Sequence, residues 1–137
     1  MTLKEILTNG DHFASGIGAR LTTIEEGVAR AELTVEERHL NAAGLCQGGV
    51  YFTLADITFA AVTNSHGPVT VGVQNSITFL KSAKLVDKLT AETIEVCNHH
   101  RMPFCETRIT NQNNELLCIV TGSAYRKKEL FPFDSLM

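Results

Sequence analysis

Basic clusters, tryptophan and linker-like segments are all missing from this chain of 137 residues. Twelve Lys and Arg are outnumbered by fifteen Asp and Glu, so the formal net charge is −3. No stretch interleaves basic with aromatic residues, and a nucleic-acid-binding face, which is normally basic, is therefore not expected. Only three prolines are present, and no repeat or Pro/Gly/Ser-rich linker interrupts the sequence. This uniformity predicts one domain over residues 1–137.

Long apolar runs are missing as well. The first seven residues, MTLKEIL, lack the apolar core of a signal peptide. Val50–Val62 is the most apolar stretch, but it is shorter than a bilayer-spanning helix and contains Asp56. We therefore expect no membrane segment and a cytoplasmic location.

The cysteines are few and show no metal-binding spacing. In a reducing compartment such residues are free thiols, mostly buried. We expect neither a metal nor a cofactor, because no CxxC or related pattern occurs. The four residues are Cys46, Cys97, Cys105 and Cys118.

Two competing interpretations involve histidine. Cys46 could act as a nucleophile with His39 or His66, although a lone cysteine is more typically a core residue. His99 and His100 could bind a metal with a nearby cysteine, although adjacent histidines on a turn are usually exposed polar residues.

The pattern of apolar residues predicts an α+β architecture in which one apolar helix lies against an antiparallel sheet. The central helix begins after Gly48-Gly49 and runs to about Asn64. Because it is apolar nearly all round, we expect it to be buried on all sides. The other predicted elements are a helix at Leu3–Phe13, strands at Ala19–Glu25, Val28–Val35, Val69–Leu80, Leu89–Asn98, Phe104–Asn111 and Leu116–Tyr125, and a loosely specified tail from Arg126.

Two features of residues 41–56 carry chemistry. Gly48 and Gly49 open the central helix, so free backbone N–H groups and the positive helix end meet there and can polarise a carbonyl oxygen. Asp56 is the only charged residue between Gln47 and Lys81. A carboxylate in apolar surroundings is costly and indicates either a functional group or a structural one bonded to a neighbour such as the Thr53 hydroxyl.

The same segment resembles a known family. Asn41-x-x-Gly44-x-x-Gln47-Gly48-Gly49, followed by Phe52-Thr53-Leu54-Ala55-Asp56, resembles the signature of the PaaI-type hotdog thioesterases. The similarity continues through Phe59-Ala60 and Asn64 into Ser76-Ile77-Thr78-Phe79-Leu80-Lys81. It is sharp over roughly forty residues and covers most of the chain at the level of element order.

This resemblance implies a hotdog fold and roles for four residues. Asp56 matches the family's catalytic carboxylate, as a general base or a nucleophile, and Gly48 matches the donor to the thioester carbonyl. Asn41 matches a polar residue that helps to place the reacting group or water. Many relatives have histidine before the paired glycines; here Gln47 can donate a hydrogen bond but cannot shuttle a proton at neutral pH.

The resemblance also implies a homodimer or a dimer of dimers with the site between subunits. The strand at residues 69–79 would line that interface. The substrate-binding candidates are then Gly49, the strand residues Gln74, Asn75 and Ser76, and, for the phosphates of coenzyme A, the turn residues Lys81 and Lys84. Ordinary strand polarity and solvated lysines explain these polar residues equally well.

The predicted function is hydrolysis of an acyl-CoA thioester to the free acid and CoA. The alternative is a hotdog module that binds acyl-CoA without cleaving it, and a hydratase is a weaker possibility because no paired His/Asp signature is present. The carboxylate at Asp56 favours the enzyme, since a pure sensor has little use for it. The aromatic residues Tyr51, Phe52, Phe59 and Phe79 fit an aromatic or medium-chain acyl pocket, and they serve equally well as core residues.

Overall fold

The computed structural model describes all residues, 1–137. One long helix and one sheet dominate it, as the sequence predicts. The helices are α1 (Leu3–Gly10), α2 (His12–Gly16) and α3 (Gly48–Asn64), and the strands are β1 (Arg20–Glu25), β2 (Val28–Thr34), β3 (Pro68–Phe79), β4 (Lys88–Cys97), β5 (Phe104–Thr110) and β6 (Leu116–Leu130). A short 3-10 turn, Glu37–His39, lies between β2 and α3.

The six strands form one antiparallel sheet in the order β1-β2-β4-β5-β6-β3. Alternating residues of β2 and β4 point to α3 and are buried, among them Ala29, Ala31, Leu89 and Ala91. This is the period-two burial expected of a sheet with one covered face. The α+β architecture with antiparallel late strands is thereby confirmed, and β3 crosses to the far edge beside β6.

The central helix is not buried on all sides, contrary to the sequence-based expectation. Leu54, Ala61 and Val62 are fully buried against the sheet. Gly49 and Asp56, however, are exposed, and Phe52 and Thr53 between them are only partly covered. These residues recur at helical spacing and form one stripe, which we call the open stripe of α3. The sheet covers only the opposite side of the helix.

The first predicted helix is in fact two. Asp11 has a non-helical backbone (φ −86°, ψ 85°) and ends α1 while its carboxylate accepts the N–H of Ala14, which caps α2. Aspartate favours such caps over helix interiors. The chain therefore turns at Asp11, and α2 presents Phe13 to solvent with 72% of its surface exposed.

The last strand is longer than the sequence suggested. The predicted loose tail from Arg126 instead continues β6 to Leu130 and pairs with the start of β3, where Thr70 lies opposite Arg126 and Pro68 opposite Leu130. This pairing depends on residues almost sixty positions away, which the local pattern does not reveal.

The two edges of the sheet differ. β1 is short, and residues that follow β6 cover it: the N–H of Ile24 donates to the Met137 sulfur at 3.2 Å. β3 has twelve residues, pairs only with β6, and exposes Val71, Val73 and Phe79. No fully buried apolar residue of the 26-residue core comes from β3. The sheet thus has one covered edge and one open edge.

None of the three helices combines the length and the apolar character that crossing a bilayer requires.

Candidate active site at the start of the central helix

Gln47 and the two glycines shape the first turn of α3. Gln47 is the N-cap, and its Oε1 accepts the Gly49 N–H at 2.5 Å. The Gly48 N–H, the first of the helix, has no acceptor within the chain. The Gln47 Nε2 group also has no protein partner, because the amide oxygen is the atom used for the cap. Two unpaired donors thus stand at the positive end of the helix dipole.

Close packing explains why both positions are glycine. A Cβ on Gly48 would come within 3.0 Å of the Phe79 ring, and one on Gly49 within 2.7 Å of Gln47 Oε1. A side chain at either position would push on Phe79 or on the cap. The glycines therefore let the Phe79 ring and the Gln47 side chain pack directly against the first turn of α3.

Asn41 stabilises the loop that leads to this helix. Its Oδ1 accepts the N–H groups of Ala43 and Leu45 at 2.9 and 3.1 Å, and Gly44 adopts a left-handed conformation at φ +78°. These contacts are those of an Asx turn. The Asn41 amide nitrogen has no partner in the chain. A role in placing the reacting group or water stays a prediction.

Asp56 lies on the open stripe without a hydrogen-bond partner in the chain. The Thr53 hydroxyl, the neighbour considered as a structural partner, donates instead to the Gly49 carbonyl at 2.8 Å. Water reaches the carboxylate, yet the apolar surroundings desolvate it; this desolvation and, secondarily, the charge of Asp11 raise the pKa of Asp56. A carboxylate that is desolvated and has no compensating hydrogen bonds is more typical of a functional group than of a structural one.

Within one chain, Gly48 and Asp56 are too far apart to act on the same carbonyl. Eight residues separate them on α3, which corresponds to about 12 Å along the axis. A catalytic base and an oxyanion donor each need hydrogen-bond reach of the reacting group. The site is incomplete in a single chain if both residues serve it.

Two grooves flank the first turn of α3. The larger has a volume of about 380 Å³ and is lined by Phe13, Ile17, Gln47, Gly49, Val50, Phe52 and Thr53. The smaller, of about 270 Å³, is lined by Cys46, Gly48, Tyr51, Phe79, Lys81 and Ser82. We call them the Phe13 groove and the Lys81 groove. The first is mainly apolar, whereas the second carries a cation and a hydroxyl.

The predicted strand residues do not share a face. Asn75 lies opposite the buried Gly122 of β6, where any side chain would overlap its amide, so it points to the helix side. Gln74 and Ser76 lie opposite Ser123 and Thr121 on the outer side. All three lie on the open edge strand β3, and only Asn75 lies on the same side as α3.

Only one of the two predicted lysines lines the Lys81 groove. Lys81 lines this groove and forms a salt bridge with Glu115, which partly neutralises it. Lys84 is exposed in the following turn, where its N–H donates to Asp87. Their binding roles stay predictions.

The competing cysteine chemistry does not fit its surroundings. Burial raises the pKa of the Cys46 thiol to about 11, which leaves it protonated at neutral pH. His39 is buried and engaged elsewhere: its Nδ1 accepts the Glu36 N–H at 2.8 Å and its Nε2 lies 2.7 Å from the Ile17 carbonyl. His66 contacts the carboxylates of Glu26 and Glu95 at 2.9–3.1 Å at the other end of α3.

The adjacent histidines do not assemble a metal site. The rings of His99 and His100 stack at 4.4 Å between centroids, and no group of three or more His, Cys, Asp and Glu is placed to hold a metal ion.

Sequence reasoning did not predict the roles that three residues have at this site; His39 was considered only as a partner of Cys46. His39 joins the groove wall to the helix start, because its ring contacts Ile17 and its carbonyl accepts the Gln47 N–H at 2.8 Å. Asp11 acts on Asp56 through its charge, and Phe13 borders the larger groove. The only available signal was the Asp11 capping residue, which marks the break between α1 and α2.

Comparisons with known proteins identify the family of this chain. A family model described as the thioesterase superfamily matches residues 43–118. A protein of Archaeoglobus fulgidus that carries an esterase assignment is 36% identical over 95% of this chain and 84% of its own. The acyl-coenzyme A thioesterase PaaI of Escherichia coli is 32% identical over 85% of this chain and 83% of its own.

Solved structures show the same fold. The E. coli PaaI structure superimposes with a TM-score of 0.83 at 26% identity, covering 94% of this chain and 99% of that one. A hypothetical thioesterase protein of Streptococcus pneumoniae, solved with coenzyme A, gives a TM-score of 0.78 at 28% identity, covering 83% and 92%. The sequence-based resemblance is confirmed: this chain belongs to the thioesterase superfamily and is a PaaI-like hotdog-fold thioester hydrolase.

Proposed function

We propose that this protein hydrolyses an acyl-CoA thioester to the free acid and CoA. The observation that carries the proposal is an unpaired Gly48 N–H at the start of α3 together with an unpaired Asp56 on the open stripe of the same helix. The E. coli relative is an acyl-coenzyme A thioesterase, and the S. pneumoniae relative was solved with coenzyme A. Residues 1–137 would act as one domain, without a cofactor, in the cytoplasm.

In the proposed reaction, the Gly48 N–H donates to the thioester oxygen and polarises the carbonyl. Asp56 removes a proton from a water molecule as the water oxygen attacks the carbonyl carbon. The resulting oxyanion is stabilised by Gly48, and Gln47 Nε2 is placed to add a second bond. Collapse of this intermediate breaks the C–S bond, and the proton on Asp56 passes to the departing sulfur. In the variant in which Asp56 is the nucleophile, an acid anhydride forms first and water then cleaves it.

The separation of Gly48 and Asp56 supports a site shared by two copies. The open edge of β3 offers unpaired backbone groups and exposed Val71 and Val73, which suit pairing with the same edge of a second copy. Such pairing would bring the start of α3 of one copy towards Asp56 of the other. We propose a homodimer of this kind, alone or as half of a dimer of dimers, with Asn75 as a substrate-side residue of the strand.

Breaking the open edge tests the assembly. Val73→Pro places a ring at the free edge and removes an N–H, whereas Thr22→Pro makes the same change on the covered edge strand β1. We expect Val73→Pro to shift the protein to monomer in light scattering and to remove turnover, with far less effect of Thr22→Pro on the oligomer. A folded, monomeric wild type that turns over substrate would contradict the shared site.

The coenzyme A arm is proposed to lie along the Lys81 groove, where Lys81 would provide positive charge for phosphates, with Lys84 in the adjoining polar pocket that also contains Lys81. Gly49 would contact the acyl side of the thioester. Lys81→Ala and Lys84→Ala should raise KM more than they lower kcat, because they bind a non-reacting part of the substrate.

Turnover of a panel of acyl-CoA thioesters, followed by thiol release, tests the function directly. Asp56→Asn keeps the side-chain shape and removes the base or nucleophile. We expect kcat to fall about 10²–10⁴-fold with a much smaller change in KM. Wild-type turnover by a folded, dimeric Asp56→Asn variant would exclude the catalytic role of Asp56.

The same panel separates the enzyme from the non-catalytic module. A module would bind acyl-CoA in calorimetry with equal affinity in wild type and Asp56→Asn, and neither would release thiol. Thiol release by the wild type alone supports the enzyme.

A further inference from the structure

We propose that the Phe13 groove is the acyl pocket and that Phe13 determines which acyl groups are accepted. This inference rests on the proposed thioesterase function and deepens it. It assigns the substrate class as an uncharged, apolar acyl group of medium length or with an aryl ring.

The polarity of the two grooves fixes the direction of the substrate. Both border the first turn of α3, with Gly49 in one and Gly48 in the other. Phe13, Ile17, Val50 and Phe52 make the first groove apolar, whereas Lys81 gives the second a positive charge. A thioester held at Gly48 then has its acyl chain in the apolar groove and its phosphate-bearing arm towards the cation.

Charge near the apolar groove excludes acidic acyl groups. Thr53 of this groove lies one turn before Asp56, and the charge of Asp11 is close enough to raise the pKa of Asp56. A dicarboxylic acyl group would bring a second carboxylate towards these two acids. The volume of about 380 Å³ lies within the range of small-molecule pockets.

Hydrogen bonds hold the wall of this groove in place. Asp11 caps α2, and the Ser15 hydroxyl donates to the Thr8 carbonyl at 2.8 Å. Arg38 donates to the Gly16 carbonyl at 2.7 Å, and His39 bonds Ile17. An exposed aromatic ring on a short helix fixed in this manner is a preformed surface rather than a mobile one.

Phe13 is the one exposed residue among the apolar residues that line the Phe13 groove. It is 72% exposed and stacks on no other aromatic ring, in contrast to Tyr51 and Phe79, whose rings meet at 5.8 Å. Phe52, the second aromatic of the groove, is already partly covered. Contact with an acyl chain would therefore bury more of Phe13 than of the other apolar residues of the groove.

The test compares kcat/KM for acetyl-, octanoyl-, phenylacetyl- and succinyl-CoA in wild type, Phe13→Ala and Phe104→Ala. Phe104 is an exposed phenylalanine of β5 on the outer sheet face and serves as the matched control. We expect the wild type to prefer octanoyl and phenylacetyl over succinyl. In Phe13→Ala the octanoyl-to-acetyl ratio should fall about 10-fold or more, the usual effect of lost apolar pocket contacts. In Phe104→Ala the ratio should stay at the wild-type value.

Methyl NMR with S-octyl-CoA, a thioether that cannot be hydrolysed, gives a second and independent readout. Octyl binding in the groove should shift the methyl resonances of Ile17 and Val50 and leave those of Ile94, on the outer face, unchanged. Turnover without these shifts and with an unchanged selectivity ratio would overturn the pocket and leave the proposed function standing. If no acyl-CoA is hydrolysed, the function fails, and the methyl shifts alone decide whether the groove binds acyl chains.

Discussion

The two ends of α3 are built in opposite ways. At its start, the Gly48 N–H has no acceptor and, two turns on, Asp56 has no partner. At its end, Asn64 makes three side-chain hydrogen bonds: Nδ2 donates to the Ala60 and Thr70 carbonyls, and Oδ1 accepts the Thr70 N–H at 2.7 Å. The Ser65 hydroxyl donates to Val62, and His66 lies between Glu26 and Glu95.

The end of α3 stabilises the fold, whereas its start is kept free for a ligand. Unpaired donors and a desolvated carboxylate reduce stability, and they persist where function requires them. Satisfied buried polar groups anchor the helix to the β1–β2 turn and to β3 and β4. Substitutions at the start should therefore change turnover, and substitutions at the end should change stability.

Among the substitutions that test this contrast between the two ends, removal of the Gly48 donor is expected to have the largest effect. Gly48→Pro and Gly48→Ala both place a Cβ against Phe79, but only proline lacks the N–H. Proline suits the first helical position, and Gln47 before it already has the extended backbone (φ −68°, ψ 139°) that proline requires. We expect kcat of the proline variant to be about 10²–10³-fold below that of the alanine variant. Equal turnover by the two variants would remove Gly48 from the oxyanion site.

At the other end, Asn64→Ala should destabilise the fold by about 1–3 kcal/mol, because it leaves the buried Thr70 N–H without an acceptor. Urea unfolding measures the loss. Asn9→Ala is the control, since Asn9 is exposed and makes no side-chain hydrogen bond. Turnover per folded molecule should match the wild type; a loss of kcat at full folding would break the division between the two ends.

The smallest effect is a gain of stability from Asp56→Asn. The raised pKa of Asp56 means that the folded state binds the proton more tightly than the unfolded chain does. The loss of folding stability caused by this charge is thus absent at acidic pH, where the carboxyl is protonated in both the folded and the unfolded state. The loss reaches its full value once the pH exceeds the raised pKa of the folded state. At neutral pH the variant should melt slightly above the wild type, and the two melting temperatures should converge in acid.

Asp87 provides the opposite control for that measurement. Hydrogen bonds from the Lys84 N–H and the Gln112 amide lower the pKa of Asp87, so its stabilisation is present at neutral pH and is lost as the pH falls through its folded pKa. Asp87→Asn should therefore lower the melting temperature at neutral pH. If both variants shifted the melting temperature in the same direction, Asp56 would not be a desolvated group that destabilises the fold.

Local patterns were sufficient to locate most of the helices and strands but not to predict what surrounds them. The glycine pair and the apolar run located α3, and alternation located β2, because both signals lie within a few neighbouring residues. The open stripe was missed, since which side of α3 the sheet covers depends on contacts distant in sequence. The candidate site was found through the motif around Gly48 and Asp56, whereas Phe13 and His39 joined it only through tertiary packing.

The single open edge of the sheet has a consequence for how far association can proceed. Pairing of two β3 strands about a two-fold axis uses the same surface on both copies and leaves only the covered β1 edges outside. Growth by strand addition then stops at two copies, whereas a sheet with two open edges could extend into a fibre. Because the segment that ends at Met137 covers β1, strand pairing can close in a pair of copies but cannot continue as polymerisation.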